Sequence, residues 1–307
     1  SQIDEHKIFK GVVPEIAARA HLDKIDLLIR EALNDAGLAF KDLDAVAVTS
    51  GPGLVGGLIV GVMYAKTISY LLKIPLIEVN HLEAHLLTAR ITDEISFPYL
   101  SFLISGGHTQ IVETKSIGSH RIIGRTLDDA IGEAFDKVGK LLNLDYPCGP
   151  EIEKLAQKGK IDIGFPVPLK GKQNCDFSLS GLKTSVRNYI SKLRTCNEGV
   201  KQNICYSFQI AVSEMIKDRL KKAFLMITDK KLLEHRMLVV SGGAASNKFL
   251  RSQILEVAKE NSFTVVFPPI SLCTDNGVMV AWLGVEKYLL KQFAEISIQP
   301  KSRWDLK

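Results

Sequence analysis

The sequence predicts a mixed α/β protein, and three features carry that prediction. Apolar strands alternate with helical patterns over about the first hundred residues, three short strands then follow one another, and strand-helix alternation returns towards the C-terminus. The elements are justified in turn below.

"VPEIAARAHLDKIDLLIREALNDAG" has helical periodicity, with Pro14 in the first turn and Gly37 at the stop. "DAVAVTS" reads as a buried strand, "GPGLVGGLIVGVMYAKTISYLLK" as a glycine turn opening a helix, and "IPLIEVN" as the next strand. "PYLSFLIS", "TQIVETKS" and "HRIIGRT" are joined by "GGH" and "IGS", the pattern of an antiparallel meander. Helical patterns follow in "DDAIGEAFDKVGKLLN" and "CGPEIEKLAQKG", then a Lys-, Pro- and Gly-containing surface loop from Gly159 to Cys175. Helices resume at "SGLKTSVRNYISKL" and "NICYSFQIAVSEMIKDRLKKAFLMITD". The strands "RMLVVS" and "FTVVFP" flank another helix, and "NGVMVAWLGVEKYLL" is the last.

With 307 residues and 46% hydrophobic content, the chain can bury a large core as one two-lobed domain or two domains. No short repeat, heptad or low-complexity tract is present. The five cysteines, Cys148, Cys175, Cys196, Cys205 and Cys273, show no C-x-x-C spacing and read as free thiols of a reducing compartment. A net charge of +5 permits a polyanionic partner without requiring one. No apolar run is expected to reach the roughly 18 residues that span a bilayer, and "SQIDEHKIFK" has neither signal nor transit character. The chain is read as intracellular.

Three motifs bear on chemistry. In "NHLEAH", His81 and His85 are four residues apart, a rotation of about 400° on a helix, so both imidazoles share one face. A metal site and a pair of hydrogen-bonded structural histidines both satisfy that spacing. The zincin order H-E-x-x-H is absent, since Leu82 follows the first histidine and Glu83 points to the opposite side. "GPGLVG" (Gly51 to Gly56) matches a dinucleotide fingerprint, with Glu78 at the end of the next strand. Because Pro52 removes an N–H from the tight turn, a glycine-rich packing turn is the preferred reading. Lastly, "LISGGHTQIV" and "LVVSGGAASNKFLR" each place Ser-Gly-Gly at a strand end. The amides of Ser105, Gly106 and Gly107 suit an anion, and the second motif enters a helix N-terminus. Two such turns, on strand ends in two halves of one chain, together predict a nucleotide clasped in a cleft.

The motifs "KGVVPEIAARAH", "TSGPGL", "NHLEAH", "SGGHTQ", "DDAIGEAFDKVGKLL", "YPCGP", "FSLSGLKT", "SGGAASN" and "CTDNG" occur in one order over essentially the whole chain. In this the sequence resembles the TsaD family of tRNA threonylcarbamoyladenosine transferases, bacterial or organellar branch. The resemblance implies an α/β actin-like ATPase (ASKHA) fold, two lobes around a nucleotide cleft. Residues 1–98 and 273–307 would form the first lobe with the metal-binding helix, and 99–272 the second lobe with a helical insertion.

The implied reaction is transfer of threonylcarbamoyl from threonylcarbamoyl-AMP to the exocyclic amine of the adenosine beside the anticodon, in tRNAs reading ANN codons, with release of AMP. One divalent ion, iron or zinc, would be held by His81, His85 and, as the third ligand that the resemblance adds, Asp275. Leu103, Ile104, Ser105, Gly106 and Gly107 would cradle phosphate and carbamoyl; Asp136 would hold the ribose beside Gly149, and Asn247 would anchor the adenylate. His108 and Lys183 are candidates for the chemistry, each with a structural alternative. Implied partners are tRNA with TsaB-like and TsaE-like proteins if the chain is bacterial, or a homodimer if organellar, in cytoplasm or mitochondrion respectively. A metallopeptidase of the glycoprotease type and a non-catalytic scaffold of the same fold are the rivals.

Two departures stand out. Cys148 occupies a position that is usually glycine in the family, which is expected to narrow the pocket beside Gly149. The family's opening strand-turn-strand, with its Gly-Ile-(Asp/Glu)-Thr-Ser-Cys-Asp-type loop, does not occur in this sequence. On that account the chain is expected to keep the metal site, bind adenylate weakly and be inactive or nearly so as a transferase unless a partner supplies the missing contacts.

Overall fold

The computed structural model describes residues 13–307, so the opening segment "SQIDEHKIFK" lies outside the described residues. The chain divides into two compact units, Ser1–Ile91 with Asn276–Lys307, and Thr92–Asp275.

In the first unit, helix α1 (Pro14–Asp35) has its proline in the first turn, where a missing N–H costs nothing. It stops at Gly37, whose φ of +67° favours glycine. Strand β1 (Val46–Gly51), helix α2 (Val55–Leu72), strand β2 (Leu76–Asn80) and helix α3 (His81–Leu87) follow. β1 and β2 pair in parallel with Val46 opposite Leu76, and Val48, Val62, Ala65 and Leu76 close the core over them.

One expectation needs correcting. α2 runs 18 residues at a mean hydropathy of 1.5, long and apolar enough by length and composition to cross a bilayer. Its Val, Leu, Ile and Met residues supply the hydropathy, and its glycines set its place in the fold. Gly57 lies against His21 of α1 and Gly61 against Val48 of β1, while Lys66 puts a charge near the helix centre.

The second unit is a five-stranded sheet in the order β5-β4-β3-β6-β7. The meander is β3 (Tyr99–Ile104), β4 (Thr109–Ser116) and β5 (Ser119–Arg125), antiparallel throughout. Helices α4 (Ile131–Leu141), α5 (Cys148–Ala156), α6 (Ser180–Ser191), α7 (Glu198–Met226) and α8 (Lys230–His235) intervene before β6 (Met237–Ser241), which pairs in parallel with β3. After helix α9 (Lys248–Glu260), β7 (Thr264–Val266) pairs in parallel with β6, and a short helix α10 (Ile270–Cys273) closes the unit. One face of the sheet, with Leu100, Phe102, Ile104 and Val240, packs on helices; Phe102 stacks on Phe177 and Phe135 meets Phe208 edge-on.

The loop from Gly159 to Cys175 is more firmly fixed than its composition suggests. Arg219 of α7, fully buried, donates to the carbonyls of Leu169, Lys172 and Asn174, which satisfies a charge that burial would otherwise penalise.

The chain then returns to the first unit as helix α11 (Gly277–Leu289). Asn276 caps it by accepting from the amide of Met279, and Gly284 permits close approach to Ala47 of β1.

Candidate functional site

Asn80 sets the histidine helix in place. Its side-chain oxygen accepts from the amides of Leu82 and Glu83, and its Nδ2 donates to the carbonyl of Trp304. His81 and His85 then share one face, ring centroids 4.8 Å apart and nearly perpendicular. Asp275 immediately precedes the cap of α11, and α11 packs on α3. The ligand atoms of His81, His85 and Asp275 all lie within 4.8 Å of one another. Two ligands on one zinc-sized ion stand up to about 4.2 Å apart, so side-chain rotation closes the cluster around an ion. Two imidazoles and one carboxylate suit iron or zinc and leave coordination positions for substrate. Glu83 is buried on the other side, 3.4 Å from the ammonium of Lys287.

The dinucleotide reading of "GPGLVG" fails because the C-terminal segment of the chain covers that turn. The amide of Gly53 donates to the carbonyl of Ser302, the amide of Lys301 to that of Ser50, and a Cβ on Gly51 would strike Lys301. Glu78, which would have met a ribose, accepts instead from Ser50 Oγ at 2.6 Å and Lys301 Nζ at 2.7 Å.

The two Ser-Gly-Gly turns, distant in sequence, lie side by side on one sheet, within the single lobe expected over residues 99–272. Leu103 of β3 stands opposite Ser241 of β6, so both turns leave the same end of neighbouring parallel strands. The contact is tight enough to require glycine. Gly242 has φ +95°, and a Cβ there would lie 2.6 Å from the carbonyl oxygen of Ile104.

The first turn differs in detail from its sequence reading. The Ser105 amide donates to the His108 carbonyl at 2.8 Å and the His108 amide to Ser105 Oγ at 3.0 Å, so Ser105 closes the hairpin rather than offering its N–H to an anion. Gly106 and Gly107 form the tip, where a Cβ on either would meet nothing within 4 Å. Leu103 and Ile104 have fully buried side chains and can contribute backbone only. The second turn passes through a short 3-10 turn, Gly243–Ser246, before α9. The N-terminus of α9 is already occupied. Glu153 accepts from the amides of Lys248 and Phe249, and Asn247 accepts from Leu250 while donating to Gln209 Oε1. The expected anion site at this helix is therefore filled by Glu153, a residue the sequence reading passed over.

Asp136 on α4 accepts from the Cys148 amide at 2.8 Å; burial pushes its carboxyl above the usual range, and that hydrogen bond opposes the shift. Gly149 beside it faces open space. Cys148 does not narrow this pocket, because its side chain lies against Gly139, where any Cβ would collide with it.

The paired aspartates before α4 were not singled out in the sequence, although "DD" ahead of an apolar helix is a capping signal. Asp128 accepts from Ser178 Oγ, Ser180 Oγ and the amides of Asp129, Leu179 and Ser180, fastening the start of α6. Asp129, buried, takes Lys137 Nζ on one oxygen at 2.5 Å and Lys183 Nζ on the other at 2.8 Å. Burial alone would raise the Asp129 carboxyl; the two ammonium groups prevail and hold it below the ordinary range.

Solved structures identify the fold. The HypF protein of T. kodakarensis superposes with a TM-score of 0.62 at 16% identity, covering 86% of this chain and 44% of that one. Component A of the (R)-2-hydroxyglutaryl-CoA dehydratase of Acidaminococcus fermentans gives 0.50 at 14% identity, over 83% and 81% of the chains. Fold and strand-end turns together define an actin-like ATPase-fold protein. Sequence relatives narrow this class. The profile described as "TsaD: tRNA N6-adenosine threonylcarbamoyltransferase" matches residues 1–282. Proteins of that name from Rhodopseudomonas palustris (strain TIE-1), Sinorhizobium medicae (strain WSM419) and Rickettsia rickettsii (strain Sheila Smith) are 50%, 48% and 46% identical. The alignments cover 99%, 100% and 100% of this chain and 84%, 86% and 90% of theirs. The chain belongs to the TsaD family, in its bacterial branch, and is a transferase that makes threonylcarbamoyladenosine in tRNA.

Proposed function

We propose that the donor is threonylcarbamoyl-AMP, bound with its phosphate against Gly106 and Gly107 and its ribose at Asp136 and Gly149. The observation that carries this reading is the juxtaposition of the two Ser-Gly-Gly turns, which puts an open glycine tip at the end of β3 with no side chain to obstruct a phosphate. Leu103, Ile104 and Ser105 shape that tip through their backbone, and Asn247, fixed by its bonds to Leu250 and Gln209, would anchor the adenylate. His81, His85 and Asp275 would hold one iron or zinc ion. When bound, such an ion supplies a Lewis acid for the phosphate and carbonyl oxygens.

In the reaction the exocyclic nitrogen of adenosine attacks the carbamoyl carbon. A C–N bond forms, the C–O bond to phosphate breaks, AMP leaves with the electron pair, and the nitrogen loses a proton. His108, whose backbone is fixed at the turn by Ser105, is the candidate acceptor of that proton. Because the acyl phosphate is already activated, orientation and charge stabilisation do most of the catalysis.

Among phosphate-contacting surfaces for tRNA, Lys172, Lys230 and Lys231 are preferred over Lys170 and Lys221, which lie 3.4 Å from Glu214 and 2.9 Å from Glu260. TsaB-like and TsaE-like proteins are the expected partners in a bacterial cytoplasm. Leu27, Leu28, Ile59 and Met63, exposed on α1 and α2, offer apolar surface for one of them. The peptidase reading is not favoured, since no glutamate follows the first histidine in the H-E-x-x-H order and the Glu83 carboxylate is paired with Lys287.

The test is threonylcarbamoyl transfer to tRNA by the metal-loaded chain with its partner proteins, followed through labelled threonine. Transfer that depends on added threonylcarbamoyl-AMP supports the proposal. Hydrolysis of casein without any transfer would replace it by the peptidase reading.

A further inference from the structure

We propose that Lys183 binds an anionic group of the donor and that Asp129 is the residue that positions it. This rests on the donor reading above and adds to it a cation and the device that holds the cation still.

Lys183 lies at the end of the first turn of α6, and two constraints fix its ammonium. Asp128 gathers five donors from its own backbone neighbour and from Ser178, Leu179 and Ser180, so the beginning of α6 cannot move relative to the loop before α4. Asp129 then grips Lys183 Nζ at 2.8 Å. That loop adjoins the glycine tip. The amide of Ile131 donates to Thr109 Oγ1 and the amide of Gly132 to the carbonyl of Ser105. Three residues of chain span at most about 10 Å, so Asp129 and the ammonium it holds are within reach of a ligand seated on Gly106 and Gly107.

Charge separates the two lysines on Asp129. Lys137 is also bound by Glu133 at 2.8 Å, so two carboxylates share its charge. Lys183 has Asp129 alone as its ion-pair partner among the described residues, and Asp129 is already divided between two cations. The four groups together are formally neutral, and within them Lys183 is the less neutralised ammonium, with one carboxylate partner where Lys137 has two. Its side chain keeps 29% of its surface accessible while Asp129 keeps 12%, the arrangement of a cation presented outward by a buried carboxylate. A threonylcarbamoyl adenylate has two anionic groups, the phosphate and the threonine carboxylate. Backbone amides at the tip serve one of them, and a fixed ammonium serves the other or shares the first.

Affinities of AMP and of a non-hydrolysable threonylcarbamoyl adenylate are to be measured by titration calorimetry on the parent, Lys183→Met, Lys183→Arg, Lys137→Met, Asp129→Asn and the Asp129→Asn/Lys183→Met double variant. Urea midpoints of each report folding separately. The expected results are at least tenfold weaker binding in Lys183→Met, partial recovery in Lys183→Arg, a three- to tenfold loss in Asp129→Asn, and no further loss when Asp129→Asn is added to Lys183→Met. Equal losses for both probes assign the ammonium to phosphate; a loss confined to the threonylcarbamoyl probe assigns it to the threonine carboxylate. Parent-like affinity for both probes in folded Lys183→Met overturns the inference, as does an equal loss in Lys137→Met. Failure of the parent itself to bind either probe overturns the donor reading along with it.

Discussion

The amide of Gly132 donates to the carbonyl oxygen of Ser105 at 3.2 Å, and a Cβ on Gly132 would stand 2.7 Å from that same oxygen and 2.9 Å from the Cα of Gly106. Helix α4 thus begins in contact with the turn that forms the glycine tip. Gly132→Ala should improve intrinsic helix propensity by about 1 kcal/mol yet cost about 1–3 kcal/mol through displaced backbone, because backbone atoms cannot rotate aside as a side chain would. A small net loss of stability in urea is expected, together with AMP binding weakened tenfold or more. Unchanged AMP affinity would mean that the tip is not part of the nucleotide site.

Metal content distinguishes a ligand cluster from two structural histidines. His81→Ala and Asp275→Asn should each lower iron or zinc stoichiometry well below that of the parent, measured by elemental analysis after dialysis. Imidazole binds as the neutral form and carboxylate as the anion, so metal affinity should fall as the pH is lowered. Full occupancy in both variants would leave the histidines as packing residues.

Asp128 is held to about 2 from an ordinary value of 3.8. Burial raises it, but the combined hydrogen bonds from Ser178, Leu179, Ser180 and Asp129 outweigh burial. A carboxyl depressed in the folded state stabilises above its unfolded value and loses that contribution as pH falls towards its folded value. The residue is exposed, so solvent screening leaves about 1 kcal/mol of the nominal effect. Urea denaturation of Asp128→Asn should show that deficit at pH 7, shrinking between about pH 4 and pH 2. A deficit that persists undiminished at the acid end would assign it to lost geometry rather than to charge.

Binding of tRNA should weaken steeply with salt. Each phosphate contact removed by Lys172→Glu or Lys230→Glu should lower the slope of log affinity against log salt by about 0.7–0.9. Lys170→Glu, whose charge Glu214 already offsets, should change the slope less. An identical slope in all three variants would move the tRNA surface elsewhere.

Much of the fold was legible because strands and helices follow local rules. The meander from Tyr99 to Arg125 appeared as three alternating runs separated by glycine turns, and α1 was bracketed by Pro14 and Gly37. The same local rules preferred a packing turn for "GPGLVG" without showing what it packs on, and they left the start of α9 open to an anion. The answers came from partners distant in sequence, Lys301 and Ser302 in one case and Glu153 in the other, which no short window contains.

By itself the sequence determined that His81 and His85 share a helix face, because four residues make nearly one turn, and that two strands end in Ser-Gly-Gly. Its ordered motifs also determined the family. Tertiary structure alone decided that both glycine turns leave one sheet side by side and that Asp129 holds Lys183, and it brings Asp275, named beforehand only through the motif resemblance, near the two histidines. The difference is physical. Helix and strand periodicity are set by neighbouring dihedral angles, whereas meetings between distant segments are set by which strands pair and how the helices pack over them.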